Sequence, residues 1–464
     1  MKPRLKTNRS PRIARLTVGA VAVAGLTAGL FSIPLTASAA ASASCTAGEM
    51  SCTPASGTPH LLLGTSSTNQ IRQLVQCGSE MYAVGTFTQV VGYDAQTKTT
   101  KTYHRTNAFK FHASAPFSMS GWNPAPNGRV NSIAVGGKNC STAYLGGSFS
   151  SVHGTAASNV AEVSTSTGAV NTNFRHSANG QVETLLLHDG RLLTGGYFTS
   201  INGSSRKYYV ALNSSTGVDD GYLNLNISGH YVFTSVSTNN TRVYNQQLSH
   251  AGHRLVAEGD FTSVGGKSRR QIFMLSLGTS HATVTGWTSP EFSANCYRTE
   301  PFWLKAAAWG PTDRTVFVAT TGYHPAGGQV GATSTRTGLC DAAAKFEATE
   351  KSVTHRWVNY TGCDSLYAAV AGSSTLYVGG HERWADNGDG CDAAGPGAIA
   401  APGMAGLGEV SHQVEWNPTR ARGLGADDML LTSAGLWIAS DNFNGSDQCG
   451  GVTGHSGICF MPKS

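Results

Sequence analysis

The chain of 464 residues carries 33 Lys and Arg against 27 Asp and Glu, a formal charge of +6. Six of those bases (Lys2, Arg4, Lys6, Arg9, Arg12 and Arg15) fall in the first fifteen positions, before the first acid at Glu49, and without them 27 bases face 27 acids. A neutral remainder lacks the field that drives nonspecific nucleic-acid or anionic-membrane binding, and 13% charged residues with 56 Gly exclude coiled coils and helical bundles in favour of a turn-rich, all-β protein.

Residues 1–16 are basic, residues 17–35 are apolar and small, and Thr36-Ala37-Ser38-Ala39 offers an A-x-A step. These three parts predict a secretory signal peptide over 1–39, an N-terminal tail over 40–59 and a single domain over 60–464. A membrane anchor is the alternative, but Gly and Ala dilute the apolar span. No later apolar run approaches about 18 residues, so no membrane insertion of the mature chain is expected. The ten cysteines all follow the signal, and an even number in an oxidising compartment reads as disulfides. No CxxC pair supports zinc.

One phrase recurs along the rest of the chain: an apolar pair, two glycines or a close relative, one residue, then an aromatic. It stands at Tyr82-Ala83-Val84-Gly85-Thr86-Phe87, Tyr144-Leu145-Gly146-Gly147-Ser148-Phe149, Leu193-Thr194-Gly195-Gly196-Tyr197-Phe198 and Val256-Ala257-Glu258-Gly259-Asp260-Phe261. Weaker copies cover 316–322, 376–382 and 436–443. Each is preceded by an apolar run, at 71–75, 130–135, 182–187, 243–248, 303–309, 366–371 and 427–431, and the copies lie about 50 to 63 residues apart. Paired runs joined by a short turn are hairpins, and the glycines mark a close backbone approach or a bulge. About four strands per unit cannot bury both faces alone. Stacking them radially does, which predicts a seven-bladed β-propeller of four-stranded antiparallel blades.

The stretches Gly195–Gly203 and Gly147–Gly154 resemble the delta-60 (GG-x-F) repeat of bacterial secreted β-propellers. Trp122-Asn123-Pro124 and Trp416-Asn417-Pro418 are similar to its W-N-P step. The segment from Val378-Gly379-Gly380-His381 through Trp384 and Gly395-Pro396-Gly397-Ala398 to Trp437-Ile438-Ala439-Ser440-Asp441 resembles the end of actinobacterial members. The resemblance covers about residue 60 onward and departs at Glu382, where an aromatic is usual, and at the cysteine insertions. It implies the fold and not a reaction.

Signatures of serine hydrolases, zinc proteases, nucleotide binders and sialidase-type propellers are missing. His250-Ala251-Gly252-His253 reads as a turn. The stretch from Glu382 to Asp392 is richer. Asp386, Asp389 and Asp392 among Asn and Gly suit a loop around Ca²⁺, although the spacing is also that of a solvated turn. Trp384 with His381 and Glu382 offers an aromatic platform and polar groups for a sugar, against packing between blades as the plainer role. No cofactor is required, Ca²⁺ being the one candidate ion. The reading is a secreted, monomeric, non-enzymatic module binding an extracellular glycan or protein at the cell envelope, with no nucleic-acid partner. A glycoside hydrolase or lyase using carboxylates such as Glu258, Asp260, Glu382 and Asp441, and a structural spacer, are the alternatives.

Cys77 and Cys140 fall in the first turns of adjacent units, so a Cys77–Cys140 bridge should clamp blade one to blade two. Cys296–Cys340 should brace the irregular fifth unit, Cys449–Cys459 a loop beside the last strand and Cys45–Cys52 a small N-terminal ring, which leaves Cys363–Cys391. Leu61-Leu62-Leu63 and Ile458-Cys459-Phe460-Met461 are expected to complete one shared sheet and close the ring.

Overall fold

The computed structural model describes residues 45, 49–62, 69–231, 240–293, 296, 302–323, 339–420, 425–441 and 447–464. The chain divides into two compact units, Met1–Ala39 and Ala40–Ser464, and every described residue belongs to the second. The predicted signal segment therefore lies outside the described residues.

Seven antiparallel sheets follow one another along the chain. Their inner strands are Gln70–Cys77, Arg129–Gly136, Val182–His188, Arg242–Leu248, Leu304–Trp309, Leu366–Ala371 and Asp428–Leu431. Each inner strand contacts the next, and Asp428–Leu431 contacts Gln70–Cys77, so the sheets close into a seven-bladed ring. The core is not central. Its buried clusters lie between blades: Tyr82 and Val84 of blade one pack with Val130 and Leu145 of blade two, and Trp437 and Phe460 of blade seven pack with Phe109 and Phe111 of blade one. Burying both faces of every sheet is what the closed ring achieves.

Blades four, five and six have four strands. In blades one, two and three the outermost strand narrows to a single bridge, Phe111 to Met119, Val163 to Val170 and Leu212 to Asp219. The preceding turns explain this for blades two and three. Ser164 Oγ accepts the Ser166 and Thr167 amides, and Asn213 Oδ1 accepts the Ser215 and Thr216 amides. Side chains that satisfy their own turn leave little backbone for pairing.

Closure differs from the expectation for 61–63. The strand His60–Leu61 pairs with Gln89–Asp94, an inserted hairpin of blade one, and Leu63 lies outside the described residues. The partner of the last strand, Ile458–Pro462, is an earlier segment. Ser51 donates to the Pro462 carbonyl at 2.8 Å, Ala55 to Phe460 at 2.9 Å, and Met50 bridges Lys463. Leu61 reaches only the Ser456 carbonyl, at 2.8 Å.

The glycines of the repeat face a bulge. In blades one to six the inner strand skips one residue of register, between Ile71 and Gln73 in blade one and between Val130 and Ser132 in blade two. A β-carbon on Gly85, Gly147, Gly196, Gly259 or Gly380 would sit within 3.0 Å of an inner-strand carbonyl oxygen. The aromatics that follow, Phe87, Phe149, Phe198 and Phe261, are buried.

Two repeated latches join the blades. Asn107 and Asn159, both at positive φ, accept the Phe87 and Phe149 amides. Their own amide groups donate onward, Asn107 to the Gly128 carbonyl and Asn159 to the Ala178 carbonyl, both at 2.9 Å. At the outer edge, Trp122, Trp287 and Trp357 donate indole N–H to Ser164, Glu347 and Glu409 of the following blade, at 2.9, 2.8 and 3.0 Å. Trp416 makes the same bond to Ser51 at 3.1 Å, so the N-terminal segment serves as the outer edge of blade seven.

Cys45–Cys52, Cys77–Cys140, Cys296–Cys340, Cys363–Cys391 and Cys449–Cys459 are disulfides. Cys77–Cys140 joins two blades across a 63-residue separation, for which loop entropy gives about 4 kcal/mol.

Gly147→Ala should cost about 1–3 kcal/mol in urea unfolding, because the facing backbone must shift. Gly121→Ala, with nothing within 4 Å of its β-carbon, should stay within about 0.5 kcal/mol of the parent. Deleting 457–464 removes the last strand and should lower the melting temperature of the whole ring in calorimetry. Equal values for the two glycine variants, or a truncation that melts like the full chain, would contradict this account.

Candidate functional site

The bulges decide what lines the central channel. At each one the skipped residue turns its side chain inward, giving a tier of Arg72, Asn131, Glu183, Tyr244, Lys305, Tyr367 and Asp427, one per blade. Asp427 holds the equivalent place in blade seven, its amide bonding the Ala439 carbonyl at 2.8 Å. The tier above, where the inner strands begin, includes Arg129, Gln181, Arg242, Trp303 and Ser365. The tier below holds Gln73, Ser132, Thr184, Asn245, Ala306, Ala368 and Asp428. All of these but Trp303 and Ser365 line one cavity of about 330 Å³.

The lowest tier sews blades together. Gln73 Oε1 accepts from Ser132 Oγ at 3.0 Å and from the Ile133 amide at 2.7 Å. Ser132 Oγ accepts the Leu185 amide at 2.9 Å, and Asp428 Oδ2 accepts the Leu74 amide at 3.0 Å. The upper two tiers are arranged otherwise. Arg129 donates to Gln181 Oε1 at 2.9 Å, and Gln181 donates to Glu183 Oε1 at 2.7 Å. The Arg242 guanidinium lies 4.8 Å from the ring centre of Tyr197 and 5.4 Å from that of Tyr244. Lys305 Nζ lies 5.7 Å from Tyr244 and 5.9 Å from Tyr367. The cations are thus held by ring faces and amides.

Burial in the channel shifts its charges. It lowers the Lys305 ammonium to about 8, helped by the Arg242 charge and opposed by Asp427, Glu183 and Glu258. It raises the Asp427 carboxyl to about 6 against the pull of Arg72 and Lys305, and the Asp428 carboxyl to about 7 despite the Leu74 amide. Glu258, 1% exposed behind the channel wall, is raised to about 8 by burial, against the Asn245 amide, Lys305 and the Ala307 backbone.

A second cavity of about 380 Å³ adjoins the first between blades five and six and shares Lys305 and Tyr367 with it. Trp303, Tyr323, Asp341 and Ser365 complete much of its wall. The combination of guanidinium, ammonium, phenol and indole groups can hold a ligand through charge-assisted hydrogen bonds and ring stacking.

His381, Glu382, Trp384, Asp386, Asp389 and Asp392 line neither cavity, but two of them touch the wall of the second: the His381 ring lies 5.2 Å from that of Tyr367, and Asp392 accepts a hydrogen bond from the Tyr323 hydroxyl at 3.0 Å. Glu382 is buried, and the Trp384 ring is covered at 4.6 Å by the Arg383 guanidinium. Arg383 also binds Asp364 and Asp392, each at 2.7 Å, and Asn359 donates to Asp386 at 2.7 Å. Asp389 is exposed. Asp386, Asp389 and Asp392 do not converge: among the described residues no three His, Cys, Asp or Glu side chains form a metal-binding group. His250 pairs with Asp313 at 2.8 Å. Glu258, Asp260, Glu382 and Asp441 are all buried at 4% exposure or less, so they do not flank an open cleft. The channel residues were missed, yet a signal existed. The second residue of most inner runs is polar or aromatic (Arg72, Asn131, Glu183, Tyr244 and Tyr367) directly after an Ile, Val or Leu.

No family model matches the chain, and no curated protein does. Among solved structures it is similar to "Structure of U3-55K", at 10% identity and a TM-score of 0.46 over 88% of this chain and 100% of that one. It is also similar to "Crystal structure of RRP9 WD40 repeats", at 10% identity and a TM-score of 0.44 over 89% and 99%.

Glu258 gives a pH test. Its folded value of about 8 lies above its ordinary 4.5, so the fold favours the protonated acid. Its contribution is full below about pH 4.5 and is lost as pH rises through 8. Glu258→Gln keeps an acceptor for Asn245 and cannot ionise. It should be more stable than the parent by about 1 kcal/mol or more at pH 9, and close to it at pH 4, in urea unfolding. A variant less stable at pH 9 would refute the assignment.

Proposed function

We propose that the protein is a secreted, non-enzymatic binding module that recognises an extracellular glycan or protein at the cell envelope through the channel end where its inner strands begin. The observation that carries this reading is the upper pair of channel tiers. Seven equivalent backbone positions present seven side chains of differing chemistry to one cavity, while in six of the blades the apolar residue just before each does the packing. A spacer would have no use for Arg129, Arg242 and Lys305, partly buried cations that form no ion pair among the described residues. The five disulfides fit an oxidising compartment, and among the described residues no helix is long and apolar enough to cross a membrane. On this reading the module works as a monomer without a cofactor.

The test is retention of the mature chain on envelope polysaccharides and envelope proteins, with reducing-end release followed in parallel. We expect retention without release, and at least tenfold weaker retention for the Arg129→Gln, Arg242→Gln double variant. Release of reducing ends would replace the module with a hydrolase or lyase. Retention indifferent to the double variant would move the site away from the channel.

A further inference from the structure

The charge of the joined cavities is layered. The uppermost tier has two guanidiniums, Arg129 and Arg242, and no carboxylate, while Lys305 stands just beneath at the wall common to both cavities. None of these three takes part in an ion pair among the described residues. The acids lie lower or are engaged: Glu183 by Gln181, Asp428 by the Leu74 amide, Asp427 facing Arg72 and Lys305, and Asp341 of the second cavity by the Ser365 hydroxyl at 3.0 Å. A cation held on ring faces in a partly desolvated pocket keeps its attraction for an incoming anion. Beside Lys305, Trp303 and Tyr367 line the second cavity with an indole and a phenol, and Lys305 Nζ stands 5.9 Å from the Tyr367 ring centre. A flat apolar face and a cation within one ring's width favour a ring that bears its own carboxylate.

Resting on the glycan form of the binding-module reading, we propose that the two cavities form one site for a carboxylated glycan: a uronic-acid ring packs against Trp303 and Tyr367, and its carboxylate lies between Lys305 and Arg242. The neighbouring sugars of the chain extend toward Arg129 across the channel. Phosphate or sulfate groups alone would satisfy the cations and leave the aromatic cavity empty, so charge by itself is not the ligand.

Calorimetric titration of the mature chain tests this with hexamers of galacturonate and guluronate and with a hyaluronan hexasaccharide. The fully methyl-esterified galacturonate hexamer and inorganic sulfate serve as comparisons. At least one acidic hexamer should bind ten times more tightly than sulfate, and, if it is galacturonate, ten times more tightly than its ester. Lys305→Gln and Trp303→Phe should each weaken binding at least fivefold, and Lys305→Arg should restore it. Unchanged melting temperatures show that these variants fold, and Lys351→Gln, remote from both cavities, should bind like the parent. Binding of the ester as tightly as the acid would overturn the carboxylate and leave the glycan module standing. Sulfate competing at the affinity of the acidic hexamer, or binding untouched by Trp303→Phe, would overturn the ring-plus-charge site. Failure of all three acidic hexamers would overturn the proposal, and retention on an envelope protein in the preceding experiment would then still support the broader module.

Discussion

A carbonyl oxygen of each inner strand presses against the backbone of the strand beside it, and in five blades only glycine leaves it room. That contact lets the inner strand take up its extra residue. The bulge rotates one side chain per blade into the channel directly after a residue, such as Ile71, Val130 or Val182, that stays in the inter-blade core. Lose the contact, and the strand returns to plain alternation with a different set of side chains in the channel.

The blades depend on one another in the same distributed way. No central core exists. Each hydrophobic layer belongs to two sheets, and each joint carries its own polar latch, from the Asn107 amide inside to the Trp122 indole outside. The joint between blades six and seven uses the N-terminal segment for the final latch, where Trp416 finds Ser51 in place of a carbonyl from a fourth strand. Cys45–Cys52 and Cys449–Cys459 lie beside this joint, so covalent bracing is placed where the repeat is least regular.

Much of this was legible in the sequence. Gly85, Gly147 and Gly196 announced a close approach, Phe87 and Phe149 announced a buried aromatic after it, and the turns holding Cys77 and Cys140 fell at equivalent places in neighbouring units. The closing segment was not legible. Met50 to Ala55 lacks the alternation of a strand because it pairs along one edge only, whereas Leu61-Leu62-Leu63 looked like a strand from composition. Nor was the channel. A bulge breaks the period-two rule at the very residue that matters, so alternation along the runs 71–75 and 303–309 does not point Arg72 and Lys305 into a channel. The loop with Glu382 and Trp384 attracted notice because its residues are adjacent in sequence, but Arg383 folds it onto itself through Asp364 and Asp392. A site built from seven separate blades leaves no such local signature.

The bulge also separates two kinds of inheritance. Asn131 and Tyr244 spend their polar groups on the next blade, at the Val182 and Leu304 carbonyls. Among the described residues the side chains of the other five inward positions make no such bond to a neighbouring blade, and their backbone geometry is set by the residues opposite them. Substitutions there can accumulate with little tax on folding, so a lineage can redraft what the ring recognises while the sequence that builds the ring stays fixed. Proteins sharing this framework should therefore diverge fastest at the bulged residue of each blade, and look most alike where they are silent about their ligands.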